Sequence, residues 1–293
     1  METIKKSFKY WQIRTIIITM VGYALYYFVR KNFSIAMPGL TAEFGISKVS
    51  LGLFLTLNGI IYGLSRFVNG IVTDRNSARK IFSIGLMLCA IVNILFGFSD
   101  TISGWLVYLA GTMGVELTVS GVLLYFMGSI WLINGYLQGM GVPPCVSLLA
   151  HWVKPDELAT KQSLWNVSHT FGAGIVVALC GFMLDHFGYS AWYLCFIVPA
   201  LIALLGVPVL WFGLKDDPTE VGLPPVEQMS DDFGQSSAEN PMENISRRKY
   251  KKIVNRMVYG NPYIWILAVS NFCIYVIRLM ILDWGASFLT EIK

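Results

Sequence analysis

The sequence predicts an all-α membrane protein, and three properties of the chain support that fold class. Of the 293 residues, 55% are hydrophobic and only 14% are charged, and the mean hydropathy is +0.58. A soluble domain carries about 25% charged residues. Several apolar runs approach or exceed the roughly 20 residues that a helix needs to cross a bilayer. We therefore expect a chain that crosses the membrane several times.

Seven apolar segments are long enough to be spans. We place them at residues 12–37, 49–73, 81–98, 118–150, 160–184, 190–213 and 262–287. Residues 101–117 are apolar but too short to cross, so we interpret them as a hairpin or an interfacial segment. Small residues and prolines in the fourth span predict close helix packing and a kink; they are Gly135, Gly139, Gly141, Pro143 and Pro144.

The basic residues predict the orientation of the spans. Lys and Arg precede the first span and lie between the second and third, between the fourth and fifth, and after the sixth, whereas the alternate loops hold only Lys48. Because Lys and Arg favour cytoplasmic loops, this phase predicts a cytoplasmic N-terminus in a multi-pass protein of the cell (inner or plasma) membrane. Basic residues at the ends of spans are what topology requires, so the net charge of +4 does not indicate nucleic-acid binding.

The same reading divides the chain into three regions. Residues 1–213 are expected to form a half of six spans, and residues 261–293 the first span of a second half. Between them, residues 214–260 are polar, and we interpret them as a mobile cytoplasmic linker. Its basic cluster, Arg247–Lys252, is expected to lie on anionic lipid of the bilayer.

The chain lacks the usual sequence signs of enzymatic chemistry. It has no metal-ligand spacing, nucleophile elbow or nucleotide-binding loop, so we expect neither an enzyme nor a metal or cofactor. Its cysteines lie in apolar segments, and we interpret them as small buried hydrophobic residues; they are Cys89, Cys145, Cys180, Cys195 and Cys273.

Two arginines lie deep inside apolar runs, where a charged side chain is unfavourable by roughly 2.5 kcal/mol or more. Arg30 is in the first span and Arg278 in the seventh, and each follows a tyrosine three residues earlier, Tyr27 and Tyr275. Arginine keeps its proton in such a place, and its planar donors suit carboxylate or phosphate. Two arginines in matching contexts therefore predict one anion site built by two related halves of a membrane protein.

Other residues are candidates for the same site. Arg66 lies roughly 12 Å along its helix from the cytoplasmic end of the second span, so it either joins the site or extends toward the headgroups. His169, in the fifth span, is either a hydrogen-bonded packing residue or a ligand of a phosphate ester that itself titrates near about pH 6 to 7. Tyr27, Tyr62 and Tyr275 are expected to contact the organic part of the ligand.

The turn between the second and third spans is a separate candidate. It reads Gly70-Ile-Val-Thr-Asp74-Arg75-Asn-Ser-Ala-Arg79-Lys80. Asp74 can cap a helix or pair across the turn, and Arg75 and Arg79 can anchor the turn to the inner leaflet. We expect a structural and gating latch here rather than a ligand site.

Taken together, these residues resemble those of the organophosphate:phosphate antiporter family of the major facilitator superfamily. The turn at Gly70–Lys80 resembles the loop motif of that superfamily. The pieces specific to the family are Gly22–Phe33, Asn134–Cys145, Trp165–His169, Asn261–Trp265, Arg278 and Leu282–Trp284. The matching Tyr–Arg pairs of the first and seventh spans are also typical of the parallel repeat of major facilitator transporters, which bind substrate near the midplane.

The resemblance implies a major facilitator fold and exchange of an organic phosphate for inorganic phosphate by alternating access. It implies that Arg30 and Arg278 grip the phosphate, that His169 matches a substrate-binding histidine, and that Arg66 stands where lysine is usual. A full member has twelve spans, so five are expected to be absent after Lys293. The alternative is a sensor, in which the same pocket detects external hexose phosphate and signals to a membrane histidine kinase.

Overall fold

The computed structural model of the protein describes residues 2–226 and 260–292 and divides the chain into two compact units, Met1–Met229 and Ser230–Lys293. The α-helices of the described residues are α1 (Glu2–Phe44), α2 (Lys48–Asp74), α3 (Ala78–Gly97), α4 (Ser99–Thr112), α5 (Val119–Gln138), α6 (Val142–Trp152), α7 (Pro155–Phe187), α8 (Leu194–Gly213) and α9 (Pro262–Ile292). Short 3₁₀ helices cover Tyr189–Ala191 and Pro218–Val221.

Seven helical segments of the described residues are long and apolar enough to cross a membrane, which confirms the predicted spans. They are α1, α2, α3, the pair α5 and α6, α7, α8 with the turn before it, and α9. Large apolar side chains project from them into the surroundings; Phe67, Leu205 and Phe212 are 79%, 76% and 75% exposed. An apolar surface of this extent is suited to lipid rather than to water.

Helix α1 is the centre of the first unit, because it packs against α6, α7 and α8. Helix α3 packs against α5 and α8, and α2 packs against α5 and α6. Aromatic rings fill the space where α1, α3, α5 and α8 meet: Phe33 stacks on Trp131 with centroids 4.4 Å apart, and Phe96 stacks on Phe196 at 4.2 Å. This packing holds the middle of α1, where the candidate site lies.

Two of the long spans are interrupted. In α1 the backbone is non-helical at Val29, with φ −97° and ψ 18°. The fourth span is broken at Gly139–Gly141, between the end of α5 and the start of α6, which confirms the kink predicted from its glycines and prolines. Glycine is required at Gly139, because a Cβ there would collide with the side chain and backbone of Ser65 on α2.

The region before the fourth span differs from its prediction. Ser99–Thr112 is one continuous helix, α4, so the interpretation as a hairpin is wrong. Helix α4 packs against α5, and Ser99 and Ser103 on its inner face are fully buried. Its 14 residues span roughly 21 Å, which is shorter than the hydrocarbon core of a bilayer.

The first part of the predicted linker is packed rather than mobile. Residues 214–226 follow α8, and their side chains Leu223 and Val226 form a buried cluster with Phe8 and Trp152. The indole Nε1 of Trp152 also donates to the carbonyl oxygen of Lys215 at 2.8 Å. The interpretation of the whole linker as mobile is therefore wrong for this segment. The basic cluster Arg247–Lys252 lies outside the described residues.

The predicted burial of the cysteines holds for four of them. Cys89, Cys145, Cys180 and Cys195 are each 0% exposed, inside the first unit. Cys273 is exposed on α9, so the prediction is wrong for this residue. Most described side chains of α9 are exposed in the same way.

Candidate anion-binding site

Arg30 lies directly after the break in α1 and is partly buried. Its guanidinium carbon is 3.8 Å from the centroid of the Tyr62 ring and 5.4 Å from that of Tyr27. The electron-rich faces of aromatic rings attract a cation, so the tyrosines hold Arg30 in place without neutralising its charge.

Helix α2 contributes Tyr62 and Arg66 one turn apart. The Arg66 guanidinium carbon is 5.6 Å from the Tyr62 centroid, so Tyr62 is shared between two cations. Arg66 is exposed, whereas Arg30 is partly buried. The structure therefore brings Arg66 to the edge of the site that Arg30 occupies more deeply.

Helix α7 brings His169 to the same place. The centroids of the His169 and Tyr27 rings are 5.4 Å apart. This proximity depends on Gly172, because a Cβ at that position would lie 2.5 Å from the carbonyl oxygen of Ala24 on α1. The glycine allows the two helix backbones to approach closely, and the histidine three residues earlier then faces α1.

Two aromatic residues of this site were not predicted from the sequence. Trp165 stacks on Tyr23 with centroids 4.7 Å apart, and Tyr23 contacts Tyr27 at 5.4 Å. Trp165 precedes His169 by four residues, and Tyr23 precedes Tyr27 by four, so helical spacing alone could have placed both on the correct faces. The Nε1 of Trp165 is buried and has no hydrogen-bond partner within the described part of the chain.

The charge of this site is positive. Within residues 2–226 and 260–292, neither Arg30 nor Arg66 forms an ion pair with a carboxylate. Guanidinium groups held by aromatic rings keep their N–H donors available to a ligand, and the ligand they favour is an anion with several acceptor oxygens. The arrangement can bind such an anion by charge-assisted hydrogen bonds, and no covalent step is needed.

The second predicted arginine lies on α9, in the second unit. The Arg278 guanidinium carbon is 5.8 Å from the Tyr275 centroid. The corresponding distance from Arg30 to Tyr27 is 5.4 Å, so the two tyrosine–arginine pairs have a similar separation. The site shared by Arg30 and Arg278 stays a prediction.

The turn between α2 and α3 is held by a residue that was not predicted. The carboxylate of Asp216, just after α8, accepts from the backbone N–H of Arg79 at 2.7 Å and from the hydroxyl of Ser77. A carboxylate at the N-terminus of α3 is favoured by the helix dipole. Asp74 and Arg75 are exposed.

Two further details describe this latch. The Nη1 of Arg79 reaches the carbonyl oxygen of Leu214 at 3.5 Å, so Arg79 joins α3 to the segment after α8. A Cβ at Gly70 would meet no atom within 4 Å, so close packing does not require glycine at this position. The gating role of Gly70, Asp74 and Arg75 remains a prediction.

Comparison with curated proteins gives relatives over essentially the whole chain. The chain is 35% identical to a "Probable hexose phosphate transport protein" of Chlamydia pneumoniae, in an alignment of 298 positions that covers 100% of this chain and 60% of the relative. It is 35% identical to the glycerol-3-phosphate transporter of Bacillus subtilis, covering 98% of this chain and 59% of the relative. It is 34% identical to the membrane sensor protein UhpC of Salmonella typhimurium, again covering 98% and 59%.

The chain therefore spans about three fifths of the length of these relatives. Two of these relatives are named as transporters and the third as a sensor, and these names agree with the resemblance found in the sequence. Among solved structures, a bacterial homolog of the human lysosomal transporter Spinster, in an inward-facing and unoccupied conformation, matches with a TM-score of 0.63. That match has 16% identity and covers 95% of this chain and 55% of the other, so it supports the fold alone.

The match to a known protein family extends through both units. Residues 19–292 match the Major Facilitator Superfamily, and this range contains every candidate site residue. The helical fold, the seven spans and the whole-chain relatives agree with that match. The chain belongs to the Major Facilitator Superfamily.

Proposed function

We propose that this chain is part of a membrane carrier that exchanges an organic phosphate ester, such as a sugar phosphate or glycerol-3-phosphate, for inorganic phosphate. The observation that carries the proposal is the Arg30 site, in which a membrane-embedded guanidinium lies 3.8 Å above Tyr62 and has no carboxylate partner in the described residues. A phosphate group satisfies such a cation with several oxygens at once. The relatives named for hexose phosphate and glycerol-3-phosphate transport support the same ligand class.

In this proposal the residues of the site have separate roles. Arg30, together with Arg278 from the second half, binds the phosphate, and Arg66 adds positive charge at the edge of the site. His169 contacts the phosphate ester, while Tyr27, Tyr62 and Tyr275 contact its organic part. Binding on alternate sides of the cell membrane would give exchange by alternating access, with the N-terminus in the cytoplasm.

Reconstituted vesicles test this function. The purified chain is inserted into vesicles loaded with inorganic phosphate, and the uptake of labelled glycerol-3-phosphate, glucose 6-phosphate and 3-phosphoglycerate is measured. We expect uptake of at least one ester, with release of internal phosphate. Vesicles loaded with chloride in place of phosphate are the control. Absence of exchange with every ester, together with absence of phosphate-ester binding to the purified chain, would refute the carrier function.

A sensor is the second candidate, favoured by the 34% identity to the membrane sensor protein UhpC. In this case the same site binds an external hexose phosphate, and the protein signals to a histidine kinase instead of moving the ester. Binding of glucose 6-phosphate without exchange in the vesicles would favour the sensor. Exchange at a rate that depends on Arg30 would favour the carrier.

A further inference from the structure

The carbonyl oxygen of Val29, one residue before Arg30, accepts three side-chain hydrogen bonds. The donors are Asn93 Nδ2 at 3.0 Å, Asn134 Nδ2 at 3.1 Å and Gln138 Nε2 at 3.2 Å. A carbonyl inside a regular helix accepts one backbone N–H from four residues later. Here the non-helical backbone at Val29 coincides with donors from α3 and α5, so two other helices hold the break in α1.

Asn32 extends this arrangement beyond the break. Its Nδ2 donates to Asn93 Oδ1 at 2.8 Å and to the carbonyl oxygen of Cys195 at 3.0 Å. Its Oδ1 accepts from the backbone N–H of Phe33 at 3.1 Å, so the side chain provides a hydrogen bond for the backbone just after the break. We refer to Asn32, Asn93, Asn134 and Gln138 as the amide cluster.

The amide cluster is completely enclosed by protein. Its four residues are 0%, 1%, 1% and 3% exposed, in the order Asn32, Asn93, Asn134 and Gln138. A buried amide that loses its partner is strongly unfavourable, so a network of this kind tends to have a single arrangement. That property suits a device that must hold one backbone conformation.

The amide cluster also acts on the turn of α1 that carries the site. Gln138 donates to the carbonyl oxygen of Tyr26 at 3.2 Å as well as to that of Val29. These two carbonyls lie directly before Tyr27 and Arg30, respectively. Helix α5, which provides Gln138, also packs on α2, which provides Tyr62 beneath the Arg30 guanidinium.

We propose that the amide cluster is a positioning device for Arg30. By holding the break of α1 at Val29, it sets the direction in which the Arg30 side chain leaves the helix and places the guanidinium over Tyr62. The proposal rests on the proposed function only in taking the ligand to be a phosphate. None of the amide side chains needs to touch that ligand.

A double-mutant cycle separates positioning from general stability. Gln138→Met removes both hydrogen bonds at nearly constant volume, and inorganic phosphate binding to the purified chain is measured with and without Arg30→Lys. We expect Gln138→Met to weaken binding by about 3- to 10-fold alone and to add nothing once Arg30 is lysine. Equal losses in both backgrounds would overturn the proposal.

Two further variants sharpen this cycle. Gln138→Glu keeps one donor when its carboxyl is protonated, and it should then lose less affinity than Gln138→Met. Gln12→Met is the matched control, because Gln12 is a buried amide of α1 that donates to the carbonyl oxygen of Trp152 at 2.9 Å, far from the break. We expect it to leave phosphate affinity unchanged. An affinity loss at Gln12 as large as that at Gln138 would also overturn the proposal.

A second measurement does not depend on phosphate. Phenylglyoxal modifies arginine side chains. Mass spectrometry of peptides gives the rate of modification of Arg30, and the rate at Arg79 is the internal reference. We expect Gln138→Met to raise the rate at Arg30 severalfold and to leave Arg79 unchanged, whereas an unchanged rate at Arg30 would overturn the positioning role. If the unsubstituted chain failed to bind phosphate, the proposed function would be wrong, and this rate would still decide the inference.

Discussion

Replacing Arg30 by lysine is the most direct test of the candidate site. The substitution keeps the positive charge, so it isolates what the planar guanidinium contributes. In the structure this group lies 3.8 Å above the Tyr62 ring and 5.4 Å from the Tyr27 ring. Lysine has a compact ammonium group that cannot stack in this way or donate two parallel hydrogen bonds.

The expected loss follows from these contacts. A hydrogen bond between charged groups contributes about 1.5–3 kcal/mol, and stacking on a tyrosine contributes about 0.5–2 kcal/mol. The lysine ammonium, as a point charge, recovers part of both contributions. We therefore expect a net loss of about 1.5–3 kcal/mol of phosphate-binding free energy. Since 1.4 kcal/mol is a factor of ten, phosphate binding should weaken by about 10- to 150-fold.

Calorimetry of inorganic phosphate binding to the purified variants measures this loss. Arg66→Lys is the matched control, because Arg66 is exposed and its guanidinium lies 5.6 Å from the same tyrosine. We expect a smaller loss there, and a loss at Arg278→Lys like that at Arg30→Lys. Equal, small losses at all three positions would mean that the arginines provide only a diffuse positive field, and Arg30 would then not be a direct ligand.

The remaining predictions concern packing, topology and pH. Gly172→Ala should destabilise the protein by about 1–3 kcal/mol, because the added methyl group meets the backbone of α1, and thermal unfolding measures this. A cysteine at His186, in a chain whose exposed Cys273 is replaced by serine, should react with an impermeant maleimide added outside intact cells. Burial raises the pKa of Asp217, but hydrogen bonds from Thr219 outweigh this and hold the pKa of that carboxyl below its usual range. Asp217 therefore stabilises the fold above the ordinary carboxyl pKa, and the melting-temperature advantage over Asp217→Asn should disappear as pH falls from about 6 to below about 3.

Each of these predictions has a result that contradicts it. Gly174→Ala is the control for the glycine, because a Cβ there meets no atom within 4 Å; equal effects at Gly172 and Gly174 would exclude the helix-contact explanation. If the cysteine introduced at His186 were labelled only after the membrane is made permeable, the orientation would be the reverse of the predicted one. A melting-temperature difference at Asp217 that stays constant with pH would show that its charge is not involved.

The sequence by itself was sufficient for the spans and for naming most of the residues that the structure groups around Arg30, although it missed Tyr23 and Trp165. Both depend on local properties: the length of an apolar run decides whether a helix can cross the membrane, and the spacing of three between Tyr27 and Arg30 places them on one helical face. An arginine inside such a run indicates a site even when its partners on other helices are unknown, because favourable contacts must offset the free energy of burying its charge. The family resemblance could be found for the same reason, since its motifs are continuous stretches of chain.

Only the tertiary structure decided which distant residues support the site. Asn134 contacts Val29 across 105 positions of sequence, and in the sequence it is one polar residue in an apolar run. Asp216 caps α3 although it lies 137 positions beyond Arg79 in the sequence. The segment after α8 likewise packs on Trp152, which is distant in the sequence. Composition and periodicity describe one helix at a time, whereas the free energy of a buried hydrogen bond depends on which helices meet. Tertiary packing therefore determines where α1 breaks and over which ring its arginine lies.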